Sequence, residues 1–199
     1  HNNDISIEAS GSSYAIDNTC DSSNRSIHDN QIELIGASGI RGDRLNIYDN
    51  TMSGSSDGTS ILIYGEEGHD IDIYNNTLVG GIAIYDETTA HVHHNLIKTS
   101  GNGLEVSNNA GGEFYNNTFA GNSDSTGTGL YIHDFVLEYQ DLYIENNIFT
   151  DFNMGVNVEN QISAIGFNTI HGSITTNFTG AGLPNGFGAE TVENYNGTL

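Results

Sequence analysis

A carboxylate beside an imidazole can move protons or help to hold a metal, and Asp72, His91 and Glu113 are residue types for that chemistry. His93 places a second imidazole two residues past His91. Asp72, His91, His93 and Glu113 are therefore the candidate catalytic set. A second series, His28, Tyr48, Tyr74, His93 and Tyr115, offers ring side chains at a recurring position. Rings in a row suit the apolar faces of sugars in an extended polysaccharide, or they stack on one another for stability. Asp29 and Asp49 form a third series. Two carboxylates at one corner of adjacent repeats repel unless a cation or a retained proton lies between them, so they are candidate Ca²⁺ ligands. Glu66, Glu67, Asp70, Asp86 and Glu87 make a further acidic region.

None of these groups is contiguous in the chain, so a repeat must bring them together. It is written as apolar-x-x-Asn-x-apolar, in Ile27…Asn30…Ile32, Ile47…Asn50…Met52, Ile73…Asn76…Leu78, Val92…Asn95…Ile97, Phe114…Asn117…Phe119, Ile144…Asn147…Phe149 and Ile165…Asn168…Ile170. Asn3 opens the series with half a unit. Spacings of about 19 to 30 residues fall in the range of stacked coils. One asparagine per coil at one corner predicts a ladder of side-chain amides through Asn3, Asn30, Asn50, Asn76, Asn95, Asn117, Asn147 and Asn168.

Short alternating strands precede each asparagine, as in Ile71-Asp72-Ile73, and a second series follows, as in Leu104-Glu105-Val106. Several of the second strands follow a glycine (Gly39, Gly81, Gly103, Gly129, Gly155), which is expected to supply an unusual backbone angle at a corner. Extra residues at Gly54–Thr59, Gly121–Thr128 and Phe135–Gln140 are expected as outer loops. The expected fold is all-β: a single-stranded parallel β-helix of about eight coils over residues 1–176, with 177–199 as a C-terminal cap or tail.

The units Ile73-Tyr74-Asn75-Asn76-Thr77-Leu78 and Phe114-Tyr115-Asn116-Asn117-Thr118-Phe119 resemble the right-handed parallel β-helix superfamily. Its members include pectate lyases, other polysaccharide lyases, mannuronan epimerases, phage tailspikes and surface proteins. The resemblance implies a right-handed solenoid over residues 1 to about 176. Its motif is structural in catalytic and non-catalytic members alike, so it implies no single activity.

Composition narrows the partners. The 199 residues carry 26 acids against four Lys and Arg, a net charge of −22. Nucleic acid and anionic membranes are excluded as partners, because their phosphates require a basic surface. No run approaches the length of a membrane span, so no membrane insertion is expected. A lone Cys20 excludes an internal disulfide and reads as an idle thiol. An extracellular or cell-surface location, in a salty or cation-rich medium, fits this charge.

The four basic residues, Arg25, Arg41, Arg44 and Lys98, are dispersed, and no lysine base stands near the candidate set. A lyase or epimerase acting on uronates must neutralise a carboxylate and abstract a neighbouring proton, and this chain is poorly supplied for both. The preferred reading is a non-catalytic extracellular scaffold, such as a surface, fibre or adhesin segment, that binds glycan along its ring column. A polysaccharide lyase, epimerase or hydrolase is the alternative. The half unit at Asn3 adds the expectation that either more coils precede it in a longer parent or subunits associate end to end through an open coil edge. Arg41-Gly42-Asp43 is read as a chance occurrence of an integrin-type tripeptide.

Overall fold

The structure, a computed structural model, describes residues 1–8, 14–18, 25–56, 59–65, 70–122, 126–133, 141–159, 164–166, 168–172 and 176–179. Cys20, Glu66, Glu67 and the expected loop at Phe135–Gln140 lie outside the described residues. Of the other two expected loops, Thr51–Ser56 is strand through Gly54, and residues 57–58 and 123–125 are not described.

Each coil crosses three faces. The strands before the asparagines form a seven-stranded sheet, from Arg25–His28 to Ala164–Gly166. The other strands form a 15-stranded sheet that is two faces joined by one long strand, Gln31–Gly42. That strand pairs with Asp4–Glu8 through its first half and with Tyr14–Asn18 through its second. It bends at Gly36, where φ is 65° and the register with the next coil slips between Ile35 and Ala37. Strand pairing is parallel throughout the described residues, with equivalent positions of successive coils opposite each other. Strand Thr176–Thr179 adds to the third face by pairing with Met154–Val158.

The corner before each rung has one backbone solution. Asn2, Asp29, Asp49, Asn75, His94, Asn116 and Asn146 all have φ between 55° and 57°. That left-handed conformation turns the chain sharply, and Asn, Asp and His tolerate it better than most residues. The next residue, the ladder asparagine, then points inward. From Asn30 to Asn168 these amides are at most 4% exposed.

Each amide donates from Nδ2 to Oδ1 of the asparagine one coil on, at 3.1 Å for Asn3 to Asn30 and 2.9–3.0 Å down to Asn147 and Asn168. The same Oδ1 also accepts the main-chain N–H of the preceding rung, as Asn95 Oδ1 does from Asn76 at 3.0 Å. Burial is therefore matched by pairing, as an interior amide requires. The expected ladder is present at all eight positions.

Among the described residues the coil makes about six turns, slightly fewer than the eight or so expected. Six rungs, Asn30 to Asn147, have an asparagine bonded on both sides.

The core inside the three faces is a set of apolar columns, Ile47, Ile73 and Val92 among them, all fully buried. Phe114, Phe119, Phe149 and Phe152 fill the later coils, with the Phe119 and Phe149 rings stacked at 5.0 Å. The glycines before the third face do not supply a corner angle: none of Gly39, Gly81, Gly103, Gly129 and Gly155 has a positive φ. A Cβ on Gly129 would lie 2.6 Å from the Gly155 carbonyl oxygen, and one on Gly103 would lie 2.5 Å from that of Gly129. Close approach of backbone to backbone, rather than conformational freedom, selects glycine there.

Candidate functional site

The outward rings on the first face form one continuous stack. His28 lies 4.7 Å from Tyr48, Tyr48 4.9 Å from Tyr74, Tyr74 5.1 Å from His93 and His93 5.0 Å from Tyr115, with interplanar angles of 4° to 13°. His1 extends it, 5.0 Å from His28. Coil spacing and ring spacing coincide, so parallel pairing holds the rings face to face. Each such contact is worth about 1 kcal/mol beyond its burial. The consequence for recognition is direct. Ring faces are occupied by other rings, and what reaches solvent is ring edges with their hydroxyl and N–H groups.

The candidate catalytic residues align as the repeat predicts. Asp72 pairs in register with His91, and His91 with Glu113. His91 Nδ1 lies 3.5 Å from Glu113 Oε2, longer than a firm charge-assisted hydrogen bond, and both side chains reach solvent. The Asp72 main-chain N–H donates to Asn46 Oδ1 at 3.2 Å. His93 is drawn into the ring stack. Its Nδ1 meets His94 Nδ1 at 2.9 Å, and burial and the His94 imidazole both hold its pKa below the usual histidine value.

Asp29 and Asp49 occupy the left-handed corner of adjacent coils. Asn and His serve elsewhere in that column, so the corner itself does not require an acid. Asp29 Oδ2 is taken up by its own neighbour, His28 Nδ1, at 2.7 Å. Among the described residues no three His, Cys, Asp or Glu side chains are grouped to hold a metal ion. A groove of about 320 Å³ beside Lys98 and Thr99 lies at the corner between the second and third faces, away from every candidate residue.

Among the described residues, a carboxylate with three side-chain partners stands on the third face at Glu105, which was not among the candidate site residues. Glu105 Oε1 accepts from Tyr85 Oη at 2.6 Å and pairs with His133 Nε2 at 2.9 Å, while Oε2 accepts from Asn102 Nδ2 at 2.8 Å. The Tyr131 ring packs 4.0 Å from His133 and donates its hydroxyl to Glu159 at 2.8 Å. Burial would raise the Glu105 pKa, but hydrogen bonds from Tyr85, Asn102 and His133 outweigh it and hold the carboxyl below its usual value. Burial and the bond to Glu105 push the Tyr85 phenol well up. The signal lay in the second strands: Glu105 is the outward residue of Leu104-Glu105-Val106, and Tyr85 and His133 directly follow Ile84 and Ile132, the register partners of Val106 on the adjacent coils.

A depressed folded pKa stabilises the fold above the unfolded value and is lost as pH falls through the folded one. Glu105→Gln is thus expected to lower the melting temperature at neutral pH. The gap to the unmodified protein should close as pH drops below about 4.5, the ordinary glutamate value. Melts followed by circular dichroism from pH 7 to pH 3 check this, and a gap that stays constant with pH would remove the electrostatic account.

Farther along the same face, Arg41 lies 5.4 Å from the ring centres of both Tyr14 and Tyr64. Its Nε and Asp43 Oδ1 are buried without a hydrogen-bond partner. The Arg-Gly-Asp tripeptide is thus part of the coil wall, its guanidinium held by ring faces.

No curated protein and no solved structure matches the chain. The family model described as "Right handed beta helix region" matches residues 39–196, most of the chain, and with the parallel three-faced coil and its asparagine ladder this places the protein in the right-handed β-helix family.

Proposed function

We propose that this protein is a non-catalytic extracellular scaffold, a β-helical surface, fibre or adhesin segment that contacts glycan along the edge of its ring column. The observation that carries the reading is the stack from His28 to Tyr115. Its rings are engaged with each other along the axis, which stiffens the coil and leaves a line of phenol and imidazole edges. Such edges offer hydrogen-bond donors and acceptors at a repeat of about 4.8 Å, suited to the hydroxyls of an extended polymer. The strongly acidic surface favours neutral glycans, since a polyanion would be repelled.

Tyr48→Phe and Tyr74→Phe test this reading because each keeps the stacked ring and removes only the edge hydroxyl. Each is expected to weaken retention on immobilised neutral glycan by about fivefold, the worth of one hydrogen bond. Unchanged retention in the double variant would remove the edge-contact model. The enzymatic reading keeps one specific support, the register of Asp72, His91 and Glu113. Incubation with alginate, pectate and neutral glycans, with and without Ca²⁺, is expected to give no unsaturated-uronate absorbance and no new reducing ends. Turnover that His91→Ala abolishes would put a catalytic site there instead.

A further inference from the structure

We propose that His93 and His94 form a two-nitrogen site for divalent copper or nickel. Their Nδ1 atoms lie 2.9 Å apart, with the ring planes at 89°. His94 is exposed and His93 partly so, and water can therefore complete a coordination sphere. With metal–nitrogen bonds of about 2.0–2.1 Å, two nitrogens at this separation subtend about 90° at the metal. That is the cis angle of a square-planar or tetragonal ion. Tetrahedral zinc would need the nitrogens about 3.3 Å apart.

The fold sets this geometry. His93 is fixed by its stack between Tyr74 and Tyr115, at 5.1 and 5.0 Å. His94 is fixed by its left-handed corner, φ 57°, with its ring edge-on to Tyr115. Without a metal, the pair shares one N–H between the two Nδ1 atoms. When the ion binds, both rings take the Nε2–H form and both Nδ1 lone pairs go to the metal. The shared proton moves through solvent to the donor ring's own Nε2, so the neutral pair releases no net proton. Asn116 stands 3.5 Å from His94 Nε2, where its amide, turned over, presents an oxygen to that N–H. A net charge of −22 raises the local concentration of any divalent cation.

The repeat itself supplies substitutions that spare the fold. Tyr occupies the His93 position in neighbouring coils, at Tyr74 and Tyr115. Asn occupies the His94 corner at Asn75, Asn116 and Asn146, with the same φ. His93→Tyr and His94→Asn each remove one ligand and keep the local structure. The test is titration of the whole, tag-free chain with Cu²⁺ and Zn²⁺ by calorimetry, with electron paramagnetic resonance of the copper form. Expected are a two-nitrogen hyperfine pattern and Cu²⁺ binding at least about tenfold tighter than Zn²⁺. Either substitution should cost about tenfold or more in Cu²⁺ affinity with the melting curve unchanged. The imidazole of His1 also attracts copper, so the readout is the difference between the unmodified chain and His94→Asn. An undiminished two-nitrogen signal in His94→Asn, or equal affinity for Zn²⁺ and Cu²⁺, overturns the proposal.

Discussion

Asn95→Ala is expected to lower the unfolding free energy by about 4 kcal/mol, while Asn3→Ala changes it by less than about 1 kcal/mol. At Asn95 one amide serves three coils. Its Oδ1 accepts from the Asn76 main chain and the Asn76 side chain, both at 3.0 Å. Its Nδ2 contacts Asn117 Oδ1 at 3.0 Å, the Ile73 carbonyl at 2.8 Å and the His93 carbonyl at 3.1 Å. Truncation leaves the Asn76 main-chain N–H without that acceptor, removes one donor from Asn117 and opens a small void. Water cannot replace these partners, because the neighbouring rungs are 1% exposed. Asn3 is exposed, and its loss leaves groups that water can reach.

Asn95→Asp separates hydrogen bonding from volume. The carboxylate has nearly the shape of the amide but no N–H, so an anion would be buried against the Ile73 and His93 carbonyls. It is expected to destabilise more than alanine at neutral pH and to recover partly in acid, where a protonated carboxyl regains one donor. Its folded pKa is raised, so the penalty grows as pH rises above the unfolded aspartate value. Urea melts at two pH values check both substitutions. Equal stability of Asn3→Ala and Asn95→Ala would mean that the ladder is decoration on an apolar core. Because each coil touches only its neighbours, loss of a middle rung should also lower the cooperativity of unfolding.

The ladder could be read in the amino-acid order because a buried amide needs a partner, and a parallel coil supplies the same partner at every turn. Register followed from it, and so did the alignment of Asp72 with His91 and Glu113. Side-chain torsions did not. Nothing in the spacing of His28, Tyr48 and Tyr74 says whether the rings lie flat on one another or splay outward. Coil-to-coil distance decides that, since it is close to the contact distance of stacked rings. The Glu105 cluster was missed for a different reason. Two of its partners, Tyr85 and His133, belong to the next outward column on adjacent coils, and Asn102 comes from the preceding corner.

The glycines before the third face are the clearest case in which the right residues carried the wrong reason, and substitution there separates the two reasons. Gly129→Ala is expected to cost about 3 kcal/mol and Gly129→Asn more. The added Cβ at Gly129 meets the Gly155 carbonyl at 2.6 Å and the Phe149 ring at 3.0 Å. At Gly81 it would overlap the Asn102 carbonyl of the next coil. A flexible side chain could yield, but a carbonyl in a strand ladder moves only with its coil. Relief therefore means widening the coil spacing, which at Gly129 strains the bond from Met154 N–H to the Gly127 carbonyl at 3.4 Å and at Gly81 that from Ile82 N–H to the Gly103 carbonyl at 2.9 Å. Had a left-handed angle been the requirement, asparagine would be better tolerated than alanine. Gly36, with φ 65°, is the internal control. There asparagine should be the milder substitution, because the backbone angle is what that position needs. Denaturant midpoints for the four variants give opposite orders at the two sites if close approach governs one and torsion the other. The same order at both would return the corner-angle explanation to Gly129.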